Sequence, residues 1–117
     1  MQSCAGQIIP NKDHYQEVYK ILKEKNIVCI GDEVQTGFGR LGDHFWAFEY
    51  YGVIPDIITV GKAMGNGFPV SAVITTPEIA ESYKKRGIEY FSTFGGNPLA
   101  VTAVSCVLDV IKEDKLQ

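Results

Sequence analysis

Twice in this chain a short apolar run ends in a glycine and then an ionisable side chain. Ile27-Val28-Cys29-Ile30 leads into Gly31-Asp32-Glu33, and Ile57-Ile58-Thr59-Val60 leads into Gly61-Lys62. An acid and a lysine at matching strand ends admit two readings. One is a salt bridge on the rim of a sheet, since most charges near strand ends are structural. The other is a ligand site, because open α/β sheets bind ligands beyond the carboxyl ends of their strands. The neighbours of Lys62 favour the second. Val60-Gly61-Lys62-Ala63-Met64-Gly65 is small and mostly apolar. Such surroundings desolvate an ammonium and lower its pKa, which a carbonyl-condensing lysine requires. Asp32 is followed by Val34, Gln35 and a glycine-rich turn, so a flat ligand is expected to lie close to the backbone there.

The pair suits one kind of chemistry in particular. A lysine amine forms an aldimine with an aldehyde cofactor. A carboxylate beside a pyridine nitrogen keeps that nitrogen protonated, so the ring accepts electrons from a carbanion. Together they are what a protein contributes to pyridoxal phosphate chemistry. Other chemistries find less support. Gly37-Phe38-Gly39-Arg40-Leu41-Gly42 is not a dinucleotide fingerprint after a strand, and Gly61-Lys62-Ala63 lacks the hydroxyl of a phosphate-binding loop. Cys4, Cys29 and Cys106 are odd in number and widely spaced. They read as reduced thiols of an intracellular protein rather than a disulfide framework or a zinc site. His14 and His44 have no second ligand at metal spacing, so no metal is expected.

Several elements must hold these residues. Tyr15, Val18, Tyr19 and Leu22 recur at helical spacing, which predicts a helix from Asp13 to Lys25 with Asp13 as N-cap and Asn26 as its end. Ile27–Ile30 and Ile57–Val60 are too short for helices and read as strands buried on both faces. Val70 to Thr75 is a third strand. Thr76-Pro77 caps a helix to about Arg86, and Asn97-Pro98 caps an apolar helix to about Lys112. That last helix is apolar on several faces and is expected to be buried in a larger structure. His44 to Tyr51 is a dense aromatic patch, read as packing or subunit contact. Strands alternating with helices indicate an α/β fold with a mainly parallel sheet. At 117 residues the chain is one domain at most. A net charge of −3 offers nothing to a phosphate backbone, so no nucleic-acid partner is expected. No apolar run approaches the roughly 20 residues of a membrane span.

Three ordered blocks resemble class III pyridoxal-phosphate aminotransferases. They are Asp32-Glu33-Val34-Gln35-Thr36-Gly37-Phe38-Gly39-Arg40, Pro55-Asp56-Ile57-Ile58-Thr59-Val60-Gly61-Lys62, and Ser92-Thr93-Phe94-Gly95-Gly96-Asn97-Pro98. The resemblance covers nearly the whole chain but only the middle of a family member. It implies a partial fold-type-I large domain over residues 1–117, ending in a helix that leads toward a small domain. It implies pyridoxal 5'-phosphate as cofactor and assigns roles. Lys62 forms the internal aldimine and shuttles the proton, Asp32 faces the pyridine nitrogen, Val34 packs on the ring, and Gln35 reaches the phenolic oxygen. Thr93 binds the cofactor phosphate, in the site of the neighbouring subunit of a homodimer.

The implied reaction is amino-group transfer from an amino acid to a 2-oxo acid, in a mitochondrial or cytoplasmic enzyme. Within the class, the motifs are similar to an alanine–glyoxylate aminotransferase branch and to a phospho-lyase branch. Val34-Gln35-Thr36 and Ile74–Ala80 lean to the first, and the segment 2–10 to the second. The alternatives are therefore a phospho-lyase acting on a phosphorylated amino alcohol, or an inactive fragment of such an enzyme. The phosphate-cupping turn, the second ring-stacking aromatic and the substrate-carboxylate arginine of the family have no counterpart here. The segment alone is expected to lack activity.

Overall fold

The computed structural model describes residues 6–117. Cys4 and residues 2–5 of the segment that leans toward the phospho-lyases lie outside the described residues. The elements run in the order α1 (Lys12–Glu24), β1 (Ile30–Asp32), α2 (Ala47–Tyr51), β2 (Ile57–Val60), a 3-10 turn (Lys62–Gly65), β3 (Ala72–Thr75), α3 (Pro77–Lys85) and α4 (Pro98–Glu113). Helix α1 half-buries the predicted stripe of Tyr15, Val18, Tyr19 and Leu22. Its N-cap is Asn11 rather than Asp13, and Asp13 lies in the first turn, where a carboxylate faces the positive end of the helix dipole. Asn26 ends the helix in a left-handed conformation, with φ of 55°, which asparagine tolerates. Ile27 N–H then donates back to the Leu22 carbonyl at 2.9 Å.

That closing bond displaces the first strand from where the apolar run predicts it. Ile27 belongs to the helix ending. Cys29 N–H is taken by the Asp56 carboxylate at 2.8 Å, so the ladder begins only at Ile30. The strand is also not buried on both faces. Ile27, Val28 and Ile30 are half exposed or more, whereas Cys29 is buried.

Strand β2 forms as predicted and is the centre of the sheet. It pairs in parallel with β1, with Ile30 opposite Ile57 and Asp32 opposite Thr59. It pairs antiparallel with β3, with Ile57 opposite Thr75 and Val60 opposite Ala72. The α/β class is as expected, and the three strands make a mixed sheet. The connection from β1 to β2 carries α2 and returns the chain in parallel. The connection from β2 to β3 is a 3-10 turn and a loop with no crossover helix, so the chain reverses.

Helices α3 and α4 start as their caps dictate. Thr76 Oγ1 accepts from Ile79 N–H and Asn97 Oδ1 accepts from Ala100 N–H at 2.9 Å, each followed by a proline in the first turn. Ala100 is the one buried residue of α4, and Leu99, Val101, Leu108 and Val110 are exposed. The buried core is correspondingly small: Cys29, Ala47, Tyr51, Val53, Val60 and Ala100. Tyr15 stacks at a tilt on Tyr51, with ring centroids 4.5 Å apart, which ties α1 to α2.

Candidate functional site

Parallel pairing of β1 and β2 brings their carboxyl ends side by side, and with them Asp32 and Lys62. The rim salt bridge does not form. Lys84–Glu81 is the ion pair found among the described residues. Lys62 Nζ instead donates to Gln35 Oε1 at 2.9 Å. Asp32 uses one oxygen locally: Oδ1 accepts from Val34 N–H at 3.1 Å and from Thr59 Oγ1 at 3.3 Å. No hydrogen bond among the described residues engages Oδ2. The carboxylate and the amine are thus held separately, each by a neutral group.

Lys62 has a backbone feature that sequence reasoning missed. Its φ is +42°, in the left-handed region that a residue with a Cβ enters at a cost of about 1–2 kcal/mol. Such local strain clusters at functional sites. It arises where β2 breaks directly into the 3-10 turn. Lys62 is also exposed, so the desolvation predicted from its apolar neighbours is absent here. Those neighbours, Ala63, Met64 and Gly65, curl away into the turn instead of closing over the amine.

Gln35 meets Lys62 through that hydrogen bond, and Val34 lies against Gly61. A Cβ built on Gly61 would lie 3.6 Å from Val34 Cγ1, which places Val34 against the backbone that precedes the lysine. Thr93 is exposed in the turn 93–96 before α4. No hydrogen bond among the described residues joins it to the other four.

The glycine-rich turn holds a flat group, but the group is part of the protein. A Cβ on Gly37 would meet the Trp46 ring at 2.9 Å and the Glu33 carbonyl at 3.0 Å. Trp46 also packs edge-on to Phe38 and Phe45, with centroids 5.6 and 4.7 Å away. The aromatic patch packs on itself and against the glycine-rich loop after β1.

Glu33 was also missed. It is buried, and its carboxylate accepts from Thr36 Oγ1 at 2.7 Å, Ala47 N–H at 3.0 Å and Phe48 N–H at 3.0 Å. The acidic doublet Asp32-Glu33, with Thr36 three residues on, was the available signal. A cavity of about 150 Å³ lies on the α1 and α2 side of the sheet, bordered by Asp32, Glu33, Tyr19 and Tyr51. A more open hollow of about 670 Å³ is bordered by Phe45, Leu108 and Lys112. Lys62 borders neither and faces open surface.

The sequence profile described as "Aminotransferase class-III" matches residues 1–117. The chain belongs to the class-III aminotransferase family. Among its relatives, the alanine–glyoxylate aminotransferase 2-like protein of Drosophila melanogaster is 53% identical over the whole chain and 24% of the relative. The ethanolamine-phosphate phospho-lyase homolog 1 of Caenorhabditis elegans is 50% identical over 99% of the chain and 25% of the relative. Among solved structures, the ornithine aminotransferase of Plasmodium yoelii superposes with a TM-score of 0.87 at 41% identity, over 97% of this chain and 30% of that one. This class-III segment thus has the partial fold-type-I architecture that the motifs imply. It spans about a quarter of the length of the curated relatives it matches.

Proposed function

We propose that this segment supplies the amine, the carboxylate and the ring-facing residues of a pyridoxal 5'-phosphate site, in an enzyme that transfers an amino group from an amino acid to a 2-oxo acid. The observation that carries this is the bond from Lys62 Nζ to Gln35 Oε1 at 2.9 Å, beside an Asp32 with no ion-pair partner among the described residues. The amine and the carboxylate at these adjacent strand ends are held by neutral partners and not by each other. Here they are kept apart, and the donor set fits the cofactor: an amine for its aldehyde, a carboxylate for its ring nitrogen and an amide for its phenolic oxygen.

When bound, pyridoxal phosphate supplies an electron sink for the carbanion formed at the amine-bearing carbon of the substrate. Lys62 would hold the cofactor through Nζ and would move the proton at that carbon. Its bond to Gln35 holds the amine beside the turn after β1. Asp32 would hold a proton on the pyridine nitrogen. Its Oδ1 is fixed by Val34 N–H and Thr59 Oγ1, so the carboxylate does not turn to follow Lys62. Val34 would pack on one face of the ring, and Gln35 would reach the phenolic oxygen. Thr93 would bind the phosphate in the site of a second subunit.

A second reading keeps the cofactor and these residues but eliminates phosphate from a phosphorylated amino alcohol. It is favoured by the phospho-lyase homolog at 50% identity. Products separate the two. A polypeptide of full family length carrying this segment is incubated with an amino acid and a 2-oxo acid, and separately with a phosphorylated amino alcohol. Formation of a new amino acid supports transfer. Release of inorganic phosphate and ammonia supports the lyase.

A further inference from the structure

We infer that Glu33 is a positioning residue for the Lys62 site, holding in place the turn that presents Val34 and Gln35. The inference rests on the cofactor reading above and adds a residue to it.

Glu33 uses every polar atom it has. Its N–H donates to the Thr59 carbonyl on β2 at 2.9 Å, and its own carbonyl accepts from Gly37 N–H at 3.0 Å. Its side chain, 4% exposed, gathers Thr36 Oγ1 and the N–H groups of Ala47 and Phe48. One residue thus ties together β2, both ends of the turn 33–37 and the start of α2. Burial of a carboxylate is costly unless hydrogen bonds offset it, and three convergent donors do so here.

The turn it closes carries the site. Val34 N–H fixes Asp32 Oδ1 at one side, and Gln35 Oε1 receives Lys62 Nζ at the other. Gln35 is two residues from Glu33, so a shift of the turn backbone carries its amide away from Lys62. If the carboxylate no longer binds Thr36 and α2, the turn loosens and the amide of Gln35 loses its fixed relation to Lys62.

The test is a double-mutant cycle on cofactor affinity, in a polypeptide of full family length carrying this segment. Glu33→Gln keeps the volume but puts an NH2 where one carboxylate oxygen accepts. It is expected to raise the dissociation constant for pyridoxal phosphate about tenfold, measured by absorbance titration of the folded protein. Gln35→Ala is expected to weaken binding in the unsubstituted background and to add little in the Glu33→Gln background, because both act through the same amide. Thr36→Val, which removes one donor and leaves the carboxylate, is the milder variant if Glu33→Gln does not fold. It is expected to show the same non-additivity with Gln35→Ala. Additive effects, or a lowered melting temperature with unchanged affinity, overturn the proposal. Absence of a borohydride-stable cofactor adduct on Lys62 in the unsubstituted protein overturns the cofactor reading, and this inference with it.

Discussion

Lys62 and Gln35, 27 residues apart in sequence, meet at 2.9 Å across the carboxyl ends of two parallel strands. The contact exists because β1 and β2 pair with Asp32 opposite Thr59, which sets the turn after β1 level with the turn after β2. It leaves the Asp32 carboxylate to Thr59 and to its own backbone. Removing that carboxylate's charge should therefore leave the local structure nearly intact. Asp32→Asn keeps an oxygen for Val34 N–H and Thr59 Oγ1 but cannot hold the ring nitrogen protonated. In the full family length, kcat is expected to fall at least a hundredfold, about 2.7 kcal/mol, with KM changed little. Steady-state kinetics check this, and near-normal kcat would assign the carboxylate another role.

Gly37 is predicted to be intolerant of a side chain. A Cβ there would stand 2.9 Å from two carbons of the Trp46 ring, so either the ring or the turn must move. Gly37→Ala is expected to cost about 1–3 kcal/mol of stability, the usual range for overpacking. Chemical denaturation measures it, and Trp46 fluorescence should shift along with it. An unchanged midpoint would show that Trp46 has room to retreat.

Stability should fall at alkaline pH for an identifiable reason. Burial, with smaller contributions from Cys29 and Tyr15, pushes the Tyr19 hydroxyl from 10.0 up to about 12. Burial also pushes the Cys29 thiol up from 9.0 and the Tyr51 hydroxyl up from 10.0. Each group binds its proton more tightly folded than unfolded. Their contribution is thus complete below about pH 9 and is lost as pH rises, in the case of Tyr19 through about 12. Tyr19→Phe removes one of these groups. Its stability relative to the unsubstituted protein should rise only above about pH 10, as followed by denaturation at stepped pH. A difference that is constant with pH would remove Tyr19 from the account.

Residues 1–117 expressed alone are predicted to associate and not to transfer amino groups. Ile30, Val73, Phe91 and Phe94 are all more than 60% exposed, and outer edges of β1 and β3 are unpaired among the described residues. Exposed apolar surface and open strand edges favour association. Light scattering coupled to gel filtration, with an amino-transfer assay, checks both parts. A monomer with saturable turnover would show that the segment holds more of the site than its bonds indicate.

What the sequence made legible was local chemistry. Thr76-Pro77 and Asn97-Pro98 begin helices because a hydroxyl or amide accepts from the first turn and proline needs no partner there. Ile57–Val60 is a strand because nothing nearby competes for its backbone. Ile27–Ile30 misled because Asn26 turns left-handed and draws Ile27 back to the helix, while Asp56, far along the chain, claims Cys29. The site was legible in residue type and strand end, and less so in contacts. Gln35 meets Lys62 and Val34 lies against Gly61. The choice of Gln35 over Asp32 as the lysine's partner, and the burial of Glu33 against α2, depend on register between strands. No single segment encodes that register.

The central claim is that Lys62 carries pyridoxal phosphate, and one measurement addresses it directly. A polypeptide of full family length carrying this segment is loaded with the cofactor, reduced with borohydride, digested and mapped by mass spectrometry. The account predicts a single stoichiometric adduct on the peptide containing Lys62, and its loss in Lys62→Ala and in Lys62→Arg, whose guanidinium stays protonated and does not condense. An adduct on a different lysine, or none at all, would contradict it.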